Sequence, residues 1–337
     1  MSKRAILLIV SIVTLAGGLI GFFLWPKNNE IVSPIAKEDL TTSPSEEVAK
    51  TKYNSIFNNQ EIINILLIGI DRRNKIESTF NTDTMILVSA NTKTNKLLFI
   101  SVPRDLWING NKINALYSVN GAESLLSAFS QITGMEVKSY IRADFEDFRW
   151  LIDEIGGIDV DVQTTFTDNE FPNSSDTGIT SVTYTQGKER MNGERALTFA
   201  RTRKGNNGEG SDLKRAARQH LILQGIANSI SNPESKFWPM NVEKAYNAIT
   251  SKMLTTLTLD DAKFLWDFYK DRDKYSVESF IVDDVYIYHP GMYPQTEYRA
   301  WVFVPRDPTW SQLHSVIQQK LNGTFVEEAS PTNNPTQ

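Results

Sequence analysis

From residue 62 onward the chain alternates between short apolar runs and charged breaks. IINILLIGI (62–70) runs into Asp71, Arg72 and Arg73, MILVSA (85–90) follows Asp83, and LLFISV (97–102) runs into Arg104 and Asp105. Apolar runs of this length, rich in β-branched residues and closed by charge, predict buried strands. Lys93, Thr94 and Asn95 read as a hairpin loop between the second and third. Leu125, Leu126, Phe129 and Ile132 recur at helical spacing with Gly134 as a C-cap, which predicts a helix over 121–133 after a less regular stretch at 112–117. A strand is expected at 137–143. Phe145, Phe148, Ile152 and Ile155 then form the apolar stripe of a helix that Gly156 and Gly157 end. Residues 158–162 read as a half-exposed strand with Asp159 and Asp161 in solvent, and the polar, turn-rich 164–185 as a surface excursion.

Further on, Asn192 caps a short helix through Ala200, and Arg201 and Arg203 follow its end. A glycine-rich loop at 205–210 leads to Ser211, a good N-cap for a long helix. On that helix Asp212, Arg215 and Gln219 share one face with Arg218 adjacent, while Ala216, Leu223, Ile226, Ala227 and Ile230 form the apolar stripe. Helices are expected at 242–249, 260–269 and 308–321, the last packed by Trp310, and strands at 277–282 and 285–288.

Ahead of this pattern lies AILLIVSIVTLAGGLIGFFLW (5–25), uncharged and long enough to cross a bilayer, preceded by Lys3 and Arg4. The expectation is a retained membrane anchor with a cytoplasmic N-terminus. A cleaved signal peptide fits less well, because the span exceeds an ordinary h-region and no small-x-small site follows. Gly17 and Gly21 form a GxxxG, a weak dimerisation signal on its own. The expected organisation is a cytoplasmic tip and anchor at 1–25 and a polar flexible linker at 26–55. A catalytic core at 56–232 is followed by helices and strands at 233–321 that complete the extracytoplasmic domain, and by a disordered tail at 322–337.

Composition narrows the chemistry. The chain of 337 residues carries a formal net charge of -5 and no cysteine. Disulfides, thiol nucleophiles and cysteine-held metals are excluded, and a globally basic nucleic-acid binder is not expected. There is no HExxH, GxSxG or GxxxxGK[ST], and His220, His289 and His314 share no motif. What remains is aspartate and arginine at element ends. In an acidic chain, Arg195, Arg201, Arg203, Lys204, Lys214, Arg215 and Arg218 fall within one short stretch. A solvated basic helix face is the plain alternative for them, and strand-end capping or local ion pairing with Arg72 or Arg73 the plain alternative for Asp71 and Asp83. Guanidinium forks fit phosphate or pyrophosphate, and paired carboxylates fit a hard divalent cation.

These pieces together resemble the LytR-CpsA-Psr family of bacterial cell-envelope proteins. The resemblance is carried by LLIGIDRR (66–73), NTDTMILVSAN (81–91), LLFISVPRDLWI (97–108), KINALY (112–117), DFEDFRWLIDEIGGIDVDV (144–162), MNGERALTFARTRK (191–204) and SDLKRAARQ (211–219), in family order. It implies an α/β fold with a central mixed β-sheet packed by helices. It implies a membrane-anchored enzyme, its catalytic domain outside the cytoplasm, that moves a glycopolymer from a polyprenyl-pyrophosphate carrier to peptidoglycan. It further implies Mg2+ held by Asp71 and Asp83, and arginines around the pyrophosphate. Of these, Arg104, Arg203 and Arg215 would be the core clamp, with Arg73, Arg201, Arg218 and Gln219 in support. The lipid would occupy a tunnel between sheet and helices. Asp83 and Asp105 are candidates for a general base. Two features depart from the family pattern: Asn81 stands where an arginine is common, so one phosphate contact is either absent or supplied by Arg72, and the loop between Arg203 and Asp212 is longer and glycine-rich. Residues after about 232 match nothing nameable. A non-catalytic glycan-binding scaffold and a lipid-pyrophosphate hydrolase are the competing readings. A transcriptional role conflicts with export and with the acidic charge.

Overall fold

The computed structural model describes residues 52–72, 80–173, 177–229, 241–291 and 300–326. The expected anchor at 1–25, most of the expected linker, Arg73, Ile230 and the tail from 327 lie outside the described residues. Among the described residues no helix is long and apolar enough to cross a membrane.

The elements in chain order are β1 (Ile62–Ile70), β2 (Thr82–Asn91), β3 (Lys96–Ser101), the short β4 (Trp107–Ile108) and β5 (Asn111–Lys112), α1 (Ile113–Thr133), β6 (Ser139–Ala143), α2 (Phe145–Glu154) and β7 (Ile158–Val162). Then follow β8 (Phe166–Pro172), β9 (Ile179–Tyr184), β10 (Gly187–Met191), α3 (Gly193–Arg201), α4 (Asp212–Ser229), α5 (Val242–Thr250), β11 (Leu254–Thr255), α6 (Leu259–Lys270), β12 (Ser276–Ile281), β13 (Ile287–Tyr288), β14 (Val304–Pro305) and α7 (Ser311–Asn322). Six strands form one mixed sheet in the order β11-β6-β1-β2-β3-β12. β1 runs parallel to β6 and β12 parallel to β3, and the other pairings are antiparallel.

The central strands are apolar almost throughout because both faces of the sheet are covered. In β1, Ile63, Ile65 and Leu67 pack toward α2–α6, while Leu66, Ile68 and Ile70 pack toward α1 and α7. Asn64 sits among the second set, and its amide is satisfied by Ser89 and the Glu136 carbonyl. The α/β class with a central mixed sheet is therefore the observed one.

Several boundaries differ from expectation. α1 begins at Ile113 rather than 121, and Gly121 (φ 78, ψ -179) breaks it at the place where a helix start was expected. A side chain is strained at that dihedral, which is why glycine stands there. Gly134 closes α1 in the left-handed region as expected. The 164–185 stretch is not only a polar excursion: β8 and β9 pair as a hairpin, and Phe166, Asp168, Phe171 and Tyr184 are buried. The strand expected at 285–288 shrinks to the two residues of β13, paired with β14. The end of the expected linker is docked, with Tyr53 bonded to Asp267 at 2.7 Å and Ser55 to Asp261 at 2.8 Å, both on α6. β7 has the expected alternation, and its partner is β10.

Candidate active site

The two charged stretches, far apart in sequence, meet at one end of the sheet around a cavity of about 740 Å³. β1 ends there with Gly69, Ile70 and Asp71. β2 begins there with a bulge: Gly69 pairs with Thr84 and Ile70 with Thr82, so Asp83 drops out of the ladder. A bulge of this kind re-aims the extra residue, and Asp83 lines the cavity beside Asp71. Arg104 arrives just past the end of β3. The opposite wall is the C-terminal end of α3 with Arg201, the following loop with Arg203, Lys204 and Gly210, and the first turns of α4.

One face of α4 runs from the charged mouth into the interior. Asp212, Arg215 and Gln219 line the mouth, and Ile222, Leu223 and Ile226 continue the same face inward. Sequence periodicity separates these into a polar and an apolar stripe; in the fold they are one stripe whose polarity changes with depth. Leu67, Ile86, Ile141, Phe148, Leu151, Leu197, Ile249 and Met253 complete an apolar chamber between the sheet and α2–α5. Ile249 and Met253 come from beyond residue 232.

Charge at the mouth is arranged around the arginines. Arg104 donates to Asp83 at 2.8 Å and its Nε lies 3.6 Å from Asp105. Burial lowers the Arg104 pKa, but Asp83, Asp105 and Asp212 outweigh it, so the net shift is upward. Arg203 donates to Asp212 at 3.2 Å, and Arg215 lies 3.3 Å from the same carboxylate. Arg215 is buried, and its pKa is lowered foremost by that burial; Asp212 opposes this, and Arg104 and Arg203 add to the lowering. Arg104 and Arg203 thus both repel Arg215 within a single rim, which favours an anion beside it. Gln219 donates to Thr84 at 2.9 Å. Thr84 in turn packs on Gly69, where an added Cβ would come within 2.9 Å of the Thr84 Cβ. Arg201 lies over the Phe145 ring at 4.4 Å and that of Phe171 at 5.5 Å, at the cavity wall.

Other expected residues sit differently. Arg218 does not line the cavity. It is buried behind the loop and donates to the carbonyls of Phe199, Thr202 and Glu209 and to the Glu209 carboxylate. Its role is to hold the backbone that carries Arg201 and Arg203. Arg72, the expected substitute at the Asn81 departure, donates to Asp144 at 2.8 and 3.1 Å and also lies outside the cavity lining. Asp105 is held by Lys112 at 2.7 Å and does not line it either. His220 is buried with its Nε2 2.8 Å from Ser101, a packing residue as its lack of motif suggested.

Asp144 and Asp168 were not singled out from sequence. Asp144 caps α2 in a box with Asp147, a spacing visible as D-x-x-D. Asp168 accepts from the backbone N–H groups of Arg203 and Lys204, a contact between β8 and a distant loop that leaves no local signal.

Among the described residues no group of three or more His, Asp or Glu side chains is placed to hold a metal ion. Asp71 and Asp83 together offer two hard oxygen donors at the mouth. That donor set suits a magnesium ion whose remaining positions are filled by substrate oxygens and water.

The LytR_cpsA_psr family profile matches residues 27–300. The chain belongs to this family. The match runs past 232 to 300 and includes β11, α6 and β12, so most of the stretch that resembled nothing from sequence lies within the family's domain. A relative in Bacillus subtilis (strain 168), the polyisoprenyl-teichoic acid–peptidoglycan teichoic acid transferase TagU, is 27% identical over 275 residues, covering 79% of this chain and 80% of that protein. The Bacillus licheniformis protein of the same name is 28% identical over 270 residues, 78% of this chain and 79% of its own. The crystal structure of Lin1025 from Listeria innocua superposes with a TM-score of 0.55 at 25% identity, covering 78% of this chain and 100% of that one.

Proposed function

We propose that this protein moves a glycopolymer, with one phosphate, from a polyprenyl-pyrophosphate carrier to peptidoglycan. The observation that carries this is one cavity of about 740 Å³ that joins an arginine- and aspartate-lined mouth to an apolar interior. A pyrophosphate with one apolar tail and one polar tail matches that division. The names of the curated relatives point to the same chemistry.

The lipid lies against Leu67, Ile222, Leu223 and Ile226, which fixes the pyrophosphate between the two walls. Arg104, Arg203 and Arg215 contact its oxygens, exchanging Asp83 and Asp212 for the substrate anion, with Arg201 and Gln219 beside them. A hydroxyl oxygen of the acceptor sugar attacks the polymer-side phosphorus. The new P–O bond forms as the bridging P–O bond to the lipid-side phosphate breaks. Polyprenyl phosphate leaves with the bond's electron pair, and the hydroxyl proton departs to a rim carboxylate or to water. Asp71 and Asp83 would hold a magnesium ion, which when bound supplies neutralising charge to the pyrophosphate oxygens. Preorganised positive charge and in-line positioning supply most of the rate. The charge-free 5–25 segment would tether the domain to the outer face of the cytoplasmic membrane, where such a donor resides.

The test is Arg104→Ala in the full chain, assayed with a lipid-pyrophosphate glycan, magnesium and peptidoglycan. The expected loss of transfer is on the order of 10²-fold or more, as for removal of one charge-stabilising donor, with an unchanged melting temperature. Binding without product in the wild-type chain would support a scaffold instead. Product formed equally well without peptidoglycan would support hydrolysis.

A further inference from the structure

An aromatic cluster that the proposed reaction leaves unused is fastened to the turn that carries Arg104. The segment leading into β14 runs alongside the chain just after Arg104: Phe303 donates its N–H to the Asp105 carbonyl at 3.0 Å, and Trp107 donates to the Phe303 carbonyl at 2.8 Å. The bridge between Leu106 and Phe303 is parallel. Arg104 and Asp105 are the central residues of a turn that Leu106 closes by donating to the Pro103 carbonyl at 3.1 Å, so Phe303 is fastened to the turn that carries Arg104, and Trp301 lies two residues before Phe303. Val302 and Val304 are buried, whereas the Trp301 and Phe303 rings meet edge to face at 4.7 Å on the other side of the segment. Trp301 is 44% exposed. A tryptophan this open, stacked with other rings, marks a ligand surface more often than a core position.

His289 adds an independent observation. Its ring centroid is 4.9 Å from that of Trp301, and its Nδ1 bonds the Val302 carbonyl at 2.9 Å. A carbonyl only accepts, so Nδ1 carries the proton in that bond and Nε2 is left as an acceptor. Nε2 is buried, and among the described residues no hydrogen-bond partner meets it.

Position selects the occupant. The apolar chamber lies on the α2–α6 face of the sheet, whereas Phe303 packs with the cluster on the α1 and α7 face. In-line displacement at phosphorus brings the nucleophile in opposite the leaving group. With polyprenyl phosphate departing on the chamber side, the acceptor arrives from the other face of the sheet end, the face on which Phe303 packs with the Trp301 ring against it.

We propose that Trp301, backed by Phe303 and His289, is the platform on which a pyranose ring of the acceptor, an N-acetylated amino-sugar strand, stacks to bring its hydroxyl to the phosphorus beside Arg104. This rests on the transferase reading of the same site. The apolar C–H face of a pyranose suits the electron-rich face of an indole. A sugar hydroxyl or acetamido N–H can donate to His289 Nε2 once the ring engages.

The full chain in detergent, as wild type, Trp301→Ala and Trp301→Phe, is titrated with a soluble N-acetylglucosamine oligosaccharide by calorimetry without donor. The same variants are then assayed for transfer with donor and acceptor varied separately. Trp301→Ala should weaken oligosaccharide binding and raise the acceptor KM by about 10-fold, the scale of one lost stacking contact. Its donor KM should stay constant, and Trp301→Phe should recover most of the loss. Unchanged oligosaccharide affinity and acceptor KM would overturn the platform. So would a rise in donor KM alone, which would place donor sugars on Trp301. If the wild-type chain transfers nothing yet binds the oligosaccharide through Trp301, the platform stands and the transferase reading falls.

Discussion

Asp83 occupies the bulge of β2 and accepts from Arg104 at 2.8 Å, so one carboxylate links the proposed cation position to the first arginine of the clamp. Asp83→Asn removes one of two hard anionic donors. It is expected to weaken magnesium binding at least ~10-fold by calorimetry in the presence of a lipid pyrophosphate, since half of the protein's anionic charge on the ion is lost. An unaltered magnesium affinity would remove Asp83 from that role. A second residue-scale expectation concerns His220, whose burial lowers its pKa to about 4 from 6.5. A buried neutral histidine favours the folded state above the ordinary pKa, and that contribution is lost as pH falls from about 6.5 toward 4, at most ~3 kcal/mol in total. Melting temperature should therefore fall with acidification over this window, and His220→Gln should fall less steeply. Parallel curves for the two proteins would show that another group governs acid stability.

At the scale of elements, α4 and the loop before it carry the far wall. Arg218 reaches three backbone carbonyls and the buried Glu209 carboxylate. Arg218→Met strands Glu209 with Lys214 alone at 3.0 Å. Breaking a buried pair on one side typically costs ~3 kcal/mol or more, so a clear drop in melting temperature is expected. Arg218→Lys, which keeps the charge and loses the fork, should fall between. No change in either variant would contradict the strut role.

Arg218 also shows how far sequence reaches. The apolar runs of β1–β3 and the stripe of α4 were legible because burial on both sheet faces and helical periodicity are local patterns. So was the pairing of Asp71, Asp83 and Arg104 with Arg201, Arg203 and Arg215 as one site, once the family resemblance was in view. Which of two nearby arginines faces the ligand was not legible. Arg215 and Arg218 are three residues apart on one helix, and only the loop carbonyls packed over Arg218 separate their roles. The β8–β9 hairpin stayed hidden for a similar reason. Its burial comes from Phe166, Phe171 and Tyr184 packing on α3 and the loop after it, contacts between distant segments that its polar composition conceals.

The whole molecule is a sheet covered on both faces, with one face opened into a chamber that leads to the charged mouth. This architecture predicts a separation of effects. Leu223→Trp narrows the chamber without touching the arginines, since Leu223 lies two turns inward of Arg215 and is only half-buried. For a long polyprenyl donor the KM should rise by roughly 10-fold, the scale of a few buried methylenes excluded. A short-chain pyrophosphate donor should be unaffected. Equal effects on both donors would mean that the lipid does not enter the chamber. The joining of mouth and chamber into one substrate site is best decided by following a donor labelled at the polymer-side phosphorus. With the full chain, magnesium and peptidoglycan, the label should appear in a phosphodiester on peptidoglycan while unlabelled polyprenyl monophosphate is released, and Arg104→Ala should abolish both. Label remaining on the lipid, or released on free glycopolymer phosphate with none on peptidoglycan, would contradict the transferase account.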